Sequence, residues 1–247
     1  MSCLKVENLS KVFRGGVFEK DKHVLQSLSF AVPEGKTTGF IGVNGSGKTT
    51  SIKCVLDFIR PDSGNIEFFG EKRLTAEVKR RIGYLPERPY YYEFLTALEF
   101  LQFHWRLAGA AGDFEARASE VLEEVGLTAA KDRRLRAFSK GMLQRAGMAQ
   151  ALLCKPEFLI LDEPMSGLDP DGRALIKDII RDEQKNGTSI FFSSHLLNDM
   201  DELCDHLVVI DDGKLIFQGA LTEFAGAGGV EKSFRDLRKK LEVGGRR

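Results

Sequence analysis

The sequence predicts an α/β fold with a mixed sheet core, an N-terminal antiparallel β-subdomain and an inserted helical subdomain. Three observations lead to this prediction. Apolar and polar residues alternate in the first third of the chain, strand and helix patterns follow one another on both sides of the middle, and the middle itself is helical throughout. With 247 residues, of which 43% are hydrophobic, the chain can bury the core that such a domain needs.

The first third is predicted to begin with half-buried antiparallel strands. The segments LKVENLSKVF (4–13) and HVLQSLSFAV (23–32) alternate apolar and polar residues. KTTGFIGV (36–43) is then a short apolar run that leads into a glycine cluster, and TSIKCVLDFI (50–59) has helical spacing. The order strand, loop, helix follows for this region.

The middle of the chain, at about residues 88–154, is predicted to be the helical subdomain inserted into the α/β domain. Thr96 and Glu99 have the spacing of a capping box at the start of one helix. Asp113 opens the next helix, and Gly126 closes it as a C-terminal cap.

The last third returns to alternating strands and helices. FLILD (158–162) is a buried strand, Asp169-Pro170 starts a helix that runs to Gly187, and SIFFSSH (189–195) is a second buried strand. LVVIDDGKLIFQG (207–219) predicts a hairpin that turns at Asp212-Gly213. Buried strands separated by helices indicate parallel pairing.

The final residues predict a separate charged element. We expect an α/β domain over residues 1–225 and a charged helical tail over 226–247, containing FRDLRKKLEV (234–243). The basic run of this tail is typical of a solvated helix face.

Bulk composition excludes several classes of partner and site. The chain has 36 basic and 36 acidic residues, so charge alone predicts no nucleic-acid partner. The four cysteines are widely spaced, which favours free thiols over a disulfide framework or a zinc site. No segment reaches the roughly 20 apolar residues of a transmembrane helix, and the first ten residues, MSCLKVENLS, do not resemble a secretory signal. A role at a membrane would therefore depend on another protein.

A phosphate-binding loop is predicted at residues 42–49, which fit the pattern G-x-x-x-x-G-K-[ST] between a strand and a helix. Glycines let successive backbone N–H groups surround phosphate oxygens at a helix N-terminus. Lys48 is expected to reach the β- and γ-phosphates and so to serve in binding and in catalysis, and the Thr49 hydroxyl to bind Mg²⁺. The nucleotide-binding residues of this segment are predicted to be Gly42, Asn44, Gly45, Ser46, Gly47, Lys48, Thr49 and Thr50.

Two carboxylates follow the buried strand FLILD. Asp162 is predicted to bind Mg²⁺, and Glu163 to act as the base that orients or deprotonates the attacking water. The carboxyl end of such a strand is where α/β sheets bind ligands. A pair of acids at the entrance of a loop is also common as a solvated feature, and the phosphate loop favours the catalytic interpretation.

The order of these motifs resembles that of ATP-binding cassette (ABC) ATPases, and the resemblance runs over residues 4–219. SKGMLQR (139–145) stands where that family has its signature sequence, before the strand that carries the acids. Ser139 and Gly141 match the usual LSGGQ form, whereas Lys140 and Met142 depart from it. The resemblance implies that Ser139 and Gly141 bind the γ-phosphate of ATP held by the opposite subunit. Ser139 is also explained as a helix N-cap, and both interpretations stay open.

The same resemblance assigns further site residues. Residues 166–169 are similar to the family's D-loop, His195 matches the switch histidine that contacts the γ-phosphate, and Phe13 resembles the aromatic residue that stacks on adenine. Phe18 competes with Phe13 for this role. Glu87 stands where the family has the glutamine of its Q-loop, and a carboxylate there can still bind Mg²⁺ or its water.

The resemblance implies a P-loop ATPase of the ABC type that uses ATP and Mg²⁺. It implies a homodimer, or a heterodimer with a second ABC ATPase, because one chain carries a single phosphate loop and a single signature element. The partner would be a transmembrane permease, contacted at the aromatic segments PYYYEF and LTALEFLQF. The chain would then be cytoplasmic and peripheral on the cytoplasmic face of the membrane, and the variants SKGMLQR and LPE favour export.

Two alternatives remain. A cassette ATPase acting on ribosomes or DNA would be expected to have two tandem cassettes or a long coiled-coil insertion. A nucleotide-sensing subunit that does not hydrolyse ATP would be expected to lack Glu163, which is present here.

Overall fold

The computed structural model describes residues 1–16, 20–226 and 228–244, of which the last three by backbone alone. The chain forms two compact units, one made of Met1–Lys72 with Ser193–Arg247 and the other of Arg73–Phe192. Both units contain strands and helices, so the predicted α/β class is confirmed. The division into a 1–225 domain and a 226–247 tail stays a prediction. Within the described ranges, no helix is both long enough and apolar enough to span a bilayer.

The first unit begins with the predicted antiparallel sheet. Its strands lie in the order β2-β1-β4, and β1 pairs antiparallel with both neighbours. Leu4 lies opposite Val32 on one side and Phe68 on the other, and all three side chains are buried. The alternation of the sequence therefore places one face of this sheet in the core. The strands are β1 Ser2–Phe13, β2 Lys22–Pro33 and β4 Ser63–Phe68.

The first unit also contains three strands that carry the phosphate loop and a hairpin. β3 pairs in parallel with β8, and β8 pairs antiparallel with β9, so the pairing is mixed. Asp212 and Gly213 both have positive φ angles, as a two-residue type I′ turn requires, which confirms the predicted hairpin. The strands are β3 Thr37–Ile41, β8 His206–Asp211 and β9 Lys214–Ala220.

The described residues of the first unit also form four helices. The last one begins near Asp201, whose two carboxylate oxygens each accept a hydrogen bond from the Val230 N–H at 3.1 Å. The carboxylate therefore acts as an N-terminal cap supplied by another helix, which fixes the start of α9. The helices are α1 Lys48–Val55, α7 Leu197–Leu203, α8 Leu221–Phe224 and α9 Gly229–Gly244.

The second unit has buried strands with apolar sequences. β5 pairs in parallel with β6, with Leu85 opposite Leu161, and every residue of β6 is buried. Arg81 and Glu157, which immediately precede β5 and β6, form two hydrogen bonds of 2.8 Å. This bidentate pair fixes the register at the start of the two strands. The strands are β5 Ile82–Leu85, β6 Phe158–Asp162 and β7 Ser189–Ser193.

The helices of the second unit start where the sequence predicts. Thr96 and Glu99 form the capping box of α3, Asp113 caps α4, and Asp169 caps α6 with Pro170 at its first position. α6 ends two residues before Gly187, which has a φ of 92°. The helices are α2 Ala76–Arg80, α3 Ala97–Leu107, α4 Phe114–Glu124, α5 Lys140–Leu152 and α6 Pro170–Lys185.

Candidate functional site

Residues 42–47 connect β3 to α1 and form the predicted phosphate loop in the first unit. Gly47 is the N-cap of α1 and has a left-handed φ of 106°. The N–H groups of the first turn of α1 have no acceptor within the helix, and no acidic side chain lies in this turn. N–H groups that the helix itself does not satisfy, together with the positive end of the helix dipole, favour an anion at this position.

Lys48 folds back into this loop. Its side chain is buried, and the ammonium donates to the carbonyl oxygens of Gly42 at 2.6 Å and Val43 at 3.3 Å. The positive charge therefore lies against the backbone at the start of the loop.

The three glycines of the motif meet two requirements, which are space and a left-handed backbone. A Cβ atom at Gly42 would lie 2.5 Å from the carbonyl oxygen of Ile210 and 2.5 Å from the Ser46 Oγ, so the requirement there is space. Gly45 has a φ of 83° and, among the described residues, no atom within 4 Å of an added Cβ, so it needs the left-handed conformation and leaves an open face. Gly47 also has a positive φ. The glycines therefore allow the close approach of residue 42 to β8, the open loop at residue 45 and the start of α1 after residue 47.

Ser46 provides the observation that tests whether a phosphate group fits. Its side chain is 2% exposed, and its Oγ has no hydrogen-bond partner within the part of the chain that the structure describes. The Ser46 backbone is fixed, since its N–H donates to Val43 and its carbonyl accepts from Gly213. A buried hydroxyl with unused hydrogen-bonding capacity in a loop of N–H groups fits a phosphate oxygen. Of the remaining predicted residues, Asn44 is exposed, whereas Thr49 and Thr50 are half-buried.

Asp162 and Glu163 lie at the carboxyl end of β6 in the second unit. Asp162 is the last residue of the strand and is 1% exposed, and Glu163 is half-buried. Glu163 has a φ of 53°, and its carbonyl accepts from the Ser166 N–H at 3.0 Å. A left-handed residue other than glycine costs about 1–3 kcal/mol, and such residues are concentrated at functional sites.

Tyr84 and Glu87 lie at the carboxyl end of β5, at the same edge of the sheet as Asp162. Burial raises the pKa of Tyr84, and the charge of Asp162 raises it further. Since Leu85 lies opposite Leu161, the chain leaves β5 beside the point where Asp162 ends β6. Glu87 is exposed, with its carboxylate 3.9 Å from the Arg88 guanidinium. It therefore lies at the predicted edge but in contact with water.

The donor set suits Mg²⁺ only together with a nucleotide. Among the described residues, no group of three or more His, Cys, Asp and Glu side chains is arranged so that it could hold a metal ion. The expected protein ligands Thr49, Asp162 and Glu87 are oxygen donors, which is the chemistry that Mg²⁺ prefers. Mg²⁺ is usually bound by one or two carboxylates with substrate phosphates, so a preformed protein cage is not required.

Comparison with known proteins decides the family. The sequence model of the ABC transporter family matches residues 25–166. The chain belongs to the ABC transporter family. It is similar to an uncharacterised ABC transporter ATP-binding protein of Nostoc sp., with 43% identity over 92% of this chain and 69% of that protein. It is equally identical, at 43% over 87% of this chain and 69% of the relative, to the bacitracin transport ATP-binding protein BcrA of Bacillus licheniformis.

A solved structure agrees with the sequence relatives. The structure of an ATP-binding subunit of an ABC transporter superposes with a TM-score of 0.85 and 28% identity, and covers 96% of this chain and 100% of that one. Three of the sequence relatives are longer proteins, of which this chain covers 63–78%. The superposition with the solved ATP-binding subunit confirms the predicted ABC ATPase fold.

The signature element of this ABC ATPase begins α5. Ser139 is the N-cap, and its Oγ accepts from the Met142 N–H at 3.2 Å, so the capping role that the sequence left open is realised. A Cβ at Gly141 would lie 3.4 Å from Leu168. Binding of a phosphate by Ser139 and Gly141 stays a prediction.

The D-loop packs against the signature element within the second unit. Gly167 has a φ of 73°, and a Cβ there would lie 2.7 Å from the Lys140 Nζ. The Lys140 side chain therefore lies across Gly167. Asp169 caps α6 by accepting from the Gly172 N–H at 2.9 Å. The two segments that the family resemblance singled out are thus in contact.

Two further predicted residues of this ABC ATPase lie at, or just after, the end of a strand. Phe13 ends β1, its ring is exposed, and the Lys11 ammonium lies 5.6 Å from its centroid. Phe18, the alternative adenine contact, lies outside the described residues. His195 follows β7 and is exposed. The roles of Phe13 and His195 stay predictions.

Gln144 is a candidate that the sequence interpretation did not select. Its side chain is 4% exposed, and its Nε2 donates to the Pro164 carbonyl at 3.0 Å. Gln144 precedes Met148 and Leu152 at helical spacing, and both of those are fully buried. A polar residue on an otherwise apolar helix stripe was the signal that could have identified it.

Proposed function

We propose that this ABC ATPase binds MgATP at residues 42–50 and hydrolyses it, and that a dimer of cassettes uses the hydrolysis to export a cargo through a separate transmembrane permease. The observation that carries the proposal is the phosphate loop. It combines the inward ammonium of Lys48, the unused buried hydroxyl of Ser46 and the N-terminus of α1 in one segment.

ATP binding is proposed to use the loop in a defined way. Lys48 would exchange the loop carbonyls for the β- and γ-phosphates, and the N–H groups around Gly45 and Gly47 would bind their oxygens. The Thr49 hydroxyl and the Asp162 carboxylate are the proposed ligands of Mg²⁺, which when bound would neutralise phosphate charge. Phe13, with its exposed ring, is the proposed adenine contact.

Hydrolysis is proposed to use Glu163 as the general base. Its carboxylate would accept the proton of the water whose oxygen attacks the γ-phosphorus, while the bond from that phosphorus to the oxygen of the leaving ADP breaks. His195 is the proposed contact to the γ-phosphate. The left-handed backbone at Glu163 supports this role, because strain is kept where a side chain must be aimed.

Dimerisation is proposed because each chain contributes one phosphate loop and one signature element. Ser139 and Gly141 would bind the γ-phosphate held by the opposite chain, through the N-terminus of the 13-residue helix α5. The partner is a second copy or a related ABC ATPase. Opening of the dimer after hydrolysis would then drive the permease.

The permease is proposed to dock on an exposed aromatic patch made of Tyr90, Tyr92, Phe94 and Phe103. Tyr90 is 89% and Phe94 67% exposed, and the Tyr92 ring contacts those of Phe94 and Phe103 at centroid distances of 6.0 and 5.2 Å. Exposed contiguous aromatic surface is typical of an interaction site. Through this contact the chain would be held at the cytoplasmic face of the membrane. The bacitracin transport relative supports a role in transport.

Nucleotide binding is tested by titrating the protein with ATP and magnesium in a calorimeter. Lys48→Ala is expected to weaken binding strongly, since it removes the buried cation of the loop. Lys53→Ala is the matched control, because Lys53 is an exposed lysine of the same helix. The Lys53→Ala variant should bind ATP as the wild type does. No binding by the wild type, or equal binding by the wild type and Lys48→Ala, would overturn the proposal.

Hydrolysis and dimerisation are tested with Glu163→Gln. This variant is expected to bind ATP, to lose turnover measured by phosphate release, and to elute as an ATP-dependent dimer in size-exclusion chromatography. Turnover equal to that of the wild type would remove Glu163 from the mechanism.

Permease docking is tested by purification from detergent-solubilised membranes. Phe94→Ser is expected to lose the integral membrane protein that accompanies the wild type. Phe58→Ser, which changes a 64% exposed phenylalanine of the other unit, should retain it. Equal recovery with both variants would contradict docking on the aromatic patch.

A further inference from the structure

The turn that carries Glu163 is held from outside by helix α5. Gln144 lies in the second turn of α5, is almost fully buried, and donates its Nε2 hydrogen to the Pro164 carbonyl at 3.0 Å. The two residues are 20 positions apart in sequence. The acceptor belongs to the residue immediately after Glu163.

The position of this hydrogen bond matters because the turn is strained and buried. Glu163 has a φ of 53°, the ring of Pro164 fixes the next φ, and the turn is closed by the hydrogen bond from the Ser166 N–H to the Glu163 carbonyl. Pro164 and Met165 are buried. Without Gln144, the Pro164 carbonyl would lose a partner in a place that excludes water, and an unsatisfied group of this kind promotes rearrangement.

Other contacts from α5 to the same loop converge on this region. Leu168 packs against Gly141, and the Lys140 side chain lies across Gly167. These contacts involve side chains at the tip of the loop, whereas Gln144 is bonded to the backbone beside Glu163. Gln144 is therefore the residue best placed to determine where the Glu163 side chain points.

We infer that Gln144 is a positioning residue for Glu163, which acts by fixing the Pro164 carbonyl and with it the strained turn. The inference rests on the proposed hydrolytic function of Glu163. It assigns to α5 a task in hydrolysis within its own chain, in addition to the phosphate contact proposed for its first turn.

The test is Gln144→Met, which keeps the length of the side chain and removes the donor. The turnover number kcat is expected to fall about tenfold or more, because small displacements of a catalytic group are costly. KM for ATP should stay within about twofold, since Gln144 is no part of the phosphate loop. Gln150→Met is the matched control, because it makes the same change on the same helix at a half-buried residue without a hydrogen bond to the loop, and it should leave kcat unchanged.

A second measurement reports on the turn without using turnover. Hydrogen–deuterium exchange of the Ser166 amide, which closes the turn, is expected to be faster in Gln144→Met than in Gln150→Met. If Gln144→Met does not fold, Gln144→Asn replaces it, because its amide is one methylene too short to reach Pro164. Unchanged kcat and exchange in the Gln144 variant, or the same changes in Gln150→Met, would overturn the inference. Absence of turnover in the wild type would overturn the proposed function instead, and the exchange comparison would still decide the role of Gln144 in the turn.

Discussion

Gly42→Ala is the substitution that tests most directly why the phosphate loop begins with glycine. The backbone of Gly42 is not left-handed, so conformational freedom is not the reason. The reason is space, because an added Cβ would lie 2.5 Å from the Ile210 carbonyl oxygen and 2.5 Å from the Ser46 Oγ.

The expected loss of stability follows from which neighbour can move. A carbon atom normally approaches a carbonyl oxygen to about 3.3 Å, so the separation must grow by about 0.8 Å. The Ser46 side chain can rotate, but the Ile210 carbonyl belongs to β8, which is paired with both β3 and β9. Overpacking against a fixed group costs about 1–3 kcal/mol, and replacing glycine by alanine recovers about 0.4–1 kcal/mol by restricting the unfolded chain. We expect a net loss of about 1–2 kcal/mol.

Urea unfolding measures this loss, with Gly16→Ala as the control. Gly16 belongs to the same unit, has no atom of the described residues within 4 Å of an added Cβ and is not left-handed, so the same chemical change should be neutral or slightly stabilising. Gly42→Ala should also weaken ATP binding, because a shift of the backbone at residue 42 would displace the carbonyl that holds the Lys48 ammonium. Equal free energies of unfolding for the two variants would refute the steric argument.

Three further predictions concern stability. Arg81 lowers the pKa of Glu157, so their pair stabilises the fold above the unfolded-state pKa of the carboxyl group. Glu157→Gln should therefore lower the free energy of unfolding in urea by at most about 1 kcal/mol near pH 7. The difference from the wild type should vanish as the pH falls through the lowered pKa. Asp113→Ala removes the cap of α4 and should cost about 1 kcal/mol by the same assay. Asp201→Ala removes the acceptor of the Val230 N–H, so limited proteolysis should release the C-terminal helix faster than in the wild type.

Helix starts and the hairpin turn were predictable because their causes are local. Thr96, Asp113 and Asp169 each accept a hydrogen bond from the N–H three residues ahead, so both partners of the contact lie within four consecutive residues. Residues 42–49 were predictable for the same reason, since the loop is a single segment whose glycines define its backbone.

The contacts that could not be predicted join distant positions. Arg81 and Glu157 are 76 residues apart, and their pairing depends on the register of β5 against β6. The same register places Tyr84 opposite Ile160, two residues before Asp162, and no local sequence pattern predicts this pairing. The hydrogen bond from Gln144 to Pro164 joins α5 to the turn after β6 across 20 residues, and it depends on the tertiary structure alone.

The departures of Lys140 and Met142 from the usual signature are consistent with the geometry around them. Met142 contributes its backbone N–H to the Ser139 cap, and any side chain at that position can supply this donor. Lys140 lies across Gly167, so a long side chain at one position is matched by the absence of a side chain at the other. Of the two positions that match the family, Ser139 supplies the capping hydroxyl, and Gly141 lies beside Leu168, where an added Cβ would be in ordinary van der Waals contact at 3.4 Å. The two departures therefore leave the backbone N–H groups at the start of α5 and the Ser139 hydroxyl in place. These are the groups that the signature element can offer to a phosphate.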